Sequence, residues 1–162
     1  MSGPLVFRVE LPLELAPTLN RYASIKRIRG KGGYRFVMHK LNDDVDSAIA
    51  AAKGDWPAWG MDDLVVTQQH RIVRGKLRAK EMRTGGRRRR VVVTRYSSVE
   101  PDEVSCDVVG GKVPLDRLVQ AYVLVDDNRK WCEREAHWRP APPKQGRVIV
   151  EVYELEGGTC SA

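Results

Sequence analysis

The sequence predicts an α+β fold: a mixed β-sheet carrying two main helices on one face, in the rough order β-α-β-β-α-β. Three observations lead there. Runs of alternating or β-favouring residues recur at 5–11, 64–72, 90–96 and 148–155. Two stretches, from His39 and from Pro114, repeat apolar residues at helical spacing. The two kinds of run are interspersed along the chain, so the helices are expected to cover a sheet. With 162 residues, no internal repeat and no compelling boundary, the chain reads as one domain over 1–162 with a sizeable core.

The first strand sets Leu5, Phe7 and Val9 against Val6, Arg8 and Glu10. Pro12 and Pro17 then bracket an extended loop, closed by Asn20, Arg21 and Tyr22. Those three residues suit phosphate or base contact, and equally a loop anchored by its own hydrogen bonds. A basic, glycine-rich loop at about 26–35 follows, with Lys26, Arg27 and Arg29. It reads as a DNA-contacting loop or a solvated one.

The first helix begins at His39, with Leu41, Val45, Ala48, Ile49 and Ala52 on one face. Asp43, Asp44 and Asp46 sit in its early turns, where the helix dipole favours acids. Gly54 stops it. Residues 55–61 form a turn with two tryptophans. Runs 64–72 and 90–96 then read as a long hairpin, with a basic tip at about 71–90 and a turn at Gly85-Gly86. Arg87, Arg88, Arg89 and Arg90 are the densest charge run in the chain. Such runs often contact phosphates.

An acidic loop at 97–103 leads into the stretch around which the rest is organised, VSCDVVGGKVPLDRLVQAYVLVDDNRKW. Asp107 precedes Gly110-Gly111 and Lys112. Pro114 suits a first helical turn, and Leu115, Leu118, Val119 and Tyr122 form one apolar face ending near Leu124. Asp126, Asp127 and Asn128 follow at once. If the chain folds back, carboxylates converge beside a lysine, an arrangement most readily held by a hard divalent cation. Read by themselves, Asp126-Asp127-Asn128 are turn residues. A further short strand at 131–138, a proline break and the last strand, 148–155, precede a short tail.

Lys and Arg number 28 against 21 Asp and Glu, a net charge of +7. That balance favours a polyanionic partner, most simply nucleic acid. No apolar run approaches the ~18 residues of a membrane span, and the first residues lack the basic start and apolar run of a signal peptide. Cys106, Cys132 and Cys160 have no metal-ligand spacing, so free thiols in a reducing cytoplasm are expected.

Taken together, these residues resemble the RusA-like endodeoxyribonucleases, a family of Holliday junction resolvases. LPLELAPTLNRY is similar to the family's Leu-Pro-x-x-Pro-x-x-Asn-Arg-Tyr, and LVDDNRKW to its apolar-Asp-Asp element after the second helix. The resemblance covers both ends and the centre of the chain. It implies Mg²⁺ or Mn²⁺ held by Asp107, Asp126 and Asp127, catalytic roles for Asp107, Lys112 and Asp127, branched DNA as substrate, and a homodimer matched to the two-fold junction. Asp116 falls on an acidic helix position of the family. Ser105 stands where the family has its first motif Asp, and Val108 where it has Asn.

Two functions follow. One is a metal-dependent, structure-selective endonuclease that resolves branched DNA by phosphodiester hydrolysis. The other is a DNA-binding relative without cleavage, which the serine at position 105 favours. A basic hairpin alone does not separate DNA from RNA.

Overall fold

A computed structural model describes residues 3–27, 33–53 and 87–159. Four strands, β1 (Leu5–Pro12), β2 (Arg87–Ser97), β3 (Cys132–Pro140) and β4 (Arg147–Thr159), form one mixed sheet in the order β1-β4-β2-β3. β4 is antiparallel to both β1 and β2, and β2 is parallel to β3. Among the described residues three helices accompany them: α1 (Leu19–Lys26), α2 (Gly33–Lys53) and α3 (Lys112–Gln120). The α+β class with helices over a mixed sheet is as the sequence predicts.

Strand alternation explains which face carries the helices. Val9, Val150, Val93 and Ala136 stand in register across the four strands, with Phe7, Val152 and Val91 one row away. These side chains join Leu41, Val45 and Ile49 of α2 and Val113, Leu115, Leu118 and Val119 of α3 in one core. The other face is a ladder of cross-strand pairs: Arg8 with Glu151, Arg90 with Glu135, Arg88 with Glu133, and Arg147 with Glu10. Arg147 also lies 4.6 Å from the centre of the Tyr96 ring.

This ladder corrects the placing of Arg87 to Arg90, expected as phosphate-contacting residues, at the end of a basic hairpin. All four lie within β2. Arg87 pairs with Glu154 of β4, Arg88 and Arg90 pair with glutamates of β3, and Arg89 faces the core at 1% exposure. Arg89 donates from Nη1 to the Val123 carbonyl, and burial pulls its pKa down to about 10. β2 is paired on both edges over Arg89–Tyr96, which leaves no edge there for the expected hairpin partner. Residues 54–86, which carry the tryptophan turn, the run 64–72, Gly85-Gly86 and most of the basic hairpin, lie outside the described residues.

Three boundaries also move. Asn20, Arg21 and Tyr22 are helical, in α1, rather than at a loop's end; Thr18 in extended conformation precedes the helix. α2 starts at Gly33, six residues before the predicted His39. α3 ends at Gln120 rather than near Leu124, because Tyr122 turns left-handed at φ 59° and the Val123 and Leu124 amides fold back onto the Leu118 carbonyl. The tail shortens too, since β4 runs to Thr159.

Candidate active site

The chain from β2 through α3 to β3 is a βαβ crossover, and its two connections carry the polar residues singled out in the sequence. Arg95, on the core face of β2, anchors the first connection by donating from Nη1 to the carbonyls of Ala16 and Val109, each at 3.2 Å. Gly110 takes φ +99°, and a Cβ there would stand 2.3 Å from the Ala16 carbonyl oxygen. Only glycine fits so close an approach. The result sets Lys112 at the first turn of α3.

Lys112 Nζ donates to Asp116 Oδ1 at 3.1 Å, one helical turn on. Burial pulls the Lys112 ammonium down. The hydrogen bond to Asp116, with the charges of Asp116, Asp127 and Asp107, outweighs burial and holds its pKa above the ordinary value. The fold thus brings the two predicted carboxylates, Asp107 and Asp127, into the field of one lysine.

They open on different hollows. Asp127 and Asp116 line an open cleft of about 480 Å³, walled opposite by Tyr22 of α1 and by Arg35, His39 and Asn42 of α2. Arg117 also lines this cleft. Its Nε donates to Asp46 Oδ1 at 2.6 Å, and a second bond joins Nη2 to Oδ2, tying α3 to α2. Asp46, expected as an acid favoured by the helix dipole, is therefore also a fixed partner of Arg117. Asp107 opens instead on a second cavity, of about 540 Å³, shared with Ser105, Cys106, Arg129, Cys132 and Arg134. Its Oδ1 is shut from solvent without a hydrogen bond, 3.8 Å from Arg134 Nη1.

Asp126, Asp127 and Asn128 do form the turn that their types favour. The Asn128 amide donates to Asp126 Oδ1 at 3.4 Å, and the Lys130 amide to Asn128 Oδ1 at 3.0 Å. Partial burial holds the Asp127 carboxyl above the usual carboxylate range. Its hydrogen bond to Asp126 and the charges of Asp116 and Asp126 act in the same direction, while Lys112 opposes them.

Among the described residues, no three or more His, Cys, Asp or Glu side chains are gathered as a metal-holding group. The donors beside Lys112 nonetheless suit a hard cation in kind. Asp126 and Asp127 are adjacent carboxylates, and Mg²⁺ is usually held by one or two carboxylates plus waters and phosphate oxygens.

Of the proposed DNA contacts, Asn20, Arg21 and Arg27 are exposed on α1 and at its C-terminal end, Lys26 is the last residue of α1, and Arg29 lies outside the described residues. Cys106 and Cys132 are free thiols, as expected, and burial pushes them up to about 11 and about 12. Sequence reasoning missed the α2 wall. Its signal was present: Arg35, His39 and Asn42 recur at i, i+4 and i+7, a polar stripe at helical period.

Among the described residues, no helix is long and apolar enough to cross a membrane. No family model matches the chain, and no curated protein matches it.

Proposed function

We propose that this chain is a metal-dependent, structure-selective endonuclease that resolves Holliday junctions or related branched DNA by phosphodiester hydrolysis, as a homodimer in the cytoplasm. The observation that carries the reading is Lys112. Asp116, Asp127 and Asp107 all act on it, and its neighbours Val113 and Asp116, with Asp127, line a cleft whose other wall carries Arg35, His39 and Asn42. A phosphodiester needs that combination: cations to bind it, and carboxylates to hold an activating metal. The resemblance to RusA-like resolvases and the net charge of +7 point the same way.

Asp126 and Asp127 would hold Mg²⁺ or Mn²⁺, which when bound polarises the phosphate and lowers the pKa of an attacking water. Lys112 donates to the phosphate oxygens as negative charge grows on them. Asp116 keeps Lys112 charged and fixes its ammonium by a hydrogen bond. Arg35 neutralises a neighbouring phosphate.

A second reading, DNA binding without cleavage, is favoured by a specific pair of observations. Ser105 is not an acid, and Asp107 faces Arg134 rather than Asp127. Incubation with a synthetic four-way junction, with and without Mg²⁺ or Mn²⁺, separates the two. Metal-dependent paired cuts at the branch are expected. Tight junction binding without cuts in either metal would leave the second reading.

A further inference from the structure

The geometry points to Phe36 as a stacking platform for an unpaired base, so that the site takes DNA whose strand is opened at a branch point. This rests on the cleft reading above. Phe36 is 72% exposed, and among the described residues it is the one aromatic counted with the exposed large hydrophobics. A lone exposed apolar residue carries no message by itself, but its neighbours do.

At 100° per residue, Arg35, His39 and Asn42 share the α2 stripe that walls the cleft. Phe36 and Lys40 lie roughly a quarter to a third of a turn further round α2, exposed and outside the cleft's lining. From Arg35 to Lys40 there is no acid; the first is Asp43. Arg35 also forms no ion pair among the described residues, whereas Arg88, Arg90, Arg117 and Arg134 are matched to carboxylates.

A protein partner would ask for a contiguous apolar patch. Among the described residues, α2 offers here one exposed ring beside the cations Arg35 and Lys40. A nucleotide asks for that pairing, a π-face for its base and positive charge for its phosphate. Paired bases keep both faces stacked on their neighbours. Only a base freed from the stack can lie on Phe36, and a base at a branch point already has an interrupted stack.

The test uses the full chain in EDTA, so that binding is read without cleavage. A four-way junction and a linear duplex of the same length each carry 2-aminopurine, beside the branch or at mid-length. Wild type, Phe36→Ala and Phe36→Trp are titrated into both, and sedimentation velocity follows each protein. Phe36→Trp should keep the emission change at the branch probe. Phe36→Ala should lose it and bind the junction on the order of tenfold more weakly, with duplex affinity unchanged. An unchanged emission response in Phe36→Ala overturns the inference, as does an equal loss on junction and duplex. Dissociation of a dimer by Phe36→Ala would assign the ring to a subunit contact instead, and the cleft reading would stand. If wild type binds neither DNA, the nuclease reading and this inference fall together.

Discussion

The carboxylates that act on Lys112 open on two polar hollows of similar size and different character. On one side, helices α1, α2 and α3 frame a cleft where Asp127 is lifted by burial and by its carboxylate neighbours. On the other, the turn before α3 and strand β3 frame a cavity where Asp107 meets Arg134, with Arg129 nearby. Among the described residues, the carboxylates Asp116 and Asp126 act on Asp127 and Lys112 opposes them. Asp107 has a guanidinium for a neighbour. A divalent cation is drawn to the first kind of place and repelled by the second, so the two aspartates named by the resemblance are physically unequal.

The largest test of that inequality is a pair of substitutions. In the metal-dependent cleavage assay, Asp127→Asn is expected to lower the rate on the order of 100-fold or more, the scale of losing a group that holds or orients a metal. Asp107→Asn should stay within about tenfold, because it acts on Lys112 only through its charge. Equal losses in the two variants would break the comparison and make Asp107 a ligand despite its turn toward Arg134.

A smaller effect separates the cations of the two hollows. Arg35 pairs with no carboxylate among the described residues, while the charge of Arg134 is shared with Asp107. Each phosphate contact contributes about 0.9 to the slope of log affinity against log salt on duplex DNA. Arg35→Ala should flatten that slope by about one contact. Arg134→Ala, Arg88→Ala and Arg90→Ala should leave it nearly unchanged, since their partners lie within the sheet or its cavity. A flatter slope in the sheet variants alone would return the DNA surface to β2.

Much of the fold was legible because periodicity reports burial directly. β1, β4, α3 and the later turns of α2 follow apolar patterns that the core confirms. The misreadings share one cause, which is that charge was taken for exposure. The run Arg87 to Arg90 read as a loop tip, yet strand pairing places glutamates opposite its alternate members and leaves Arg89 facing the core. The start of α2 read as loop because Gly33 and Arg35 suggest one, although the polar stripe there faces a cleft. Of the site, the gathering of Asp107 and Asp127 around Lys112 was expected. Their separation into two hollows was not, because it depends on Arg134, which β3 supplies from the far end of the crossover.

The smallest expected effect concerns pH and bears on Asp127 alone. Its folded pKa lies above the unfolded value, through partial burial first and the Asp126 hydrogen bond second. Between those two values the folded chain binds more protons at this carboxyl than the unfolded chain does. Stability must then fall as pH rises through that window and remain lower by the same amount at neutrality. Asp127 therefore costs stability at the pH where it would act, which is how a group retained for chemistry differs from one retained for packing. Asp127→Asn should raise the melting temperature modestly at pH 7 and leave it unchanged near pH 3, where the carboxyl is protonated in both states. A divalent cation should reverse the sign at neutral pH, raising the melting temperature of wild type and not of the variant, because binding to the folded state alone stabilises it. Melting curves across that pH range, with and without Mg²⁺, check both halves. If Asp127→Asn melts lower at pH 7 without metal, Lys112 outweighs burial and Asp126, and the balance assigned to Asp127 is reversed.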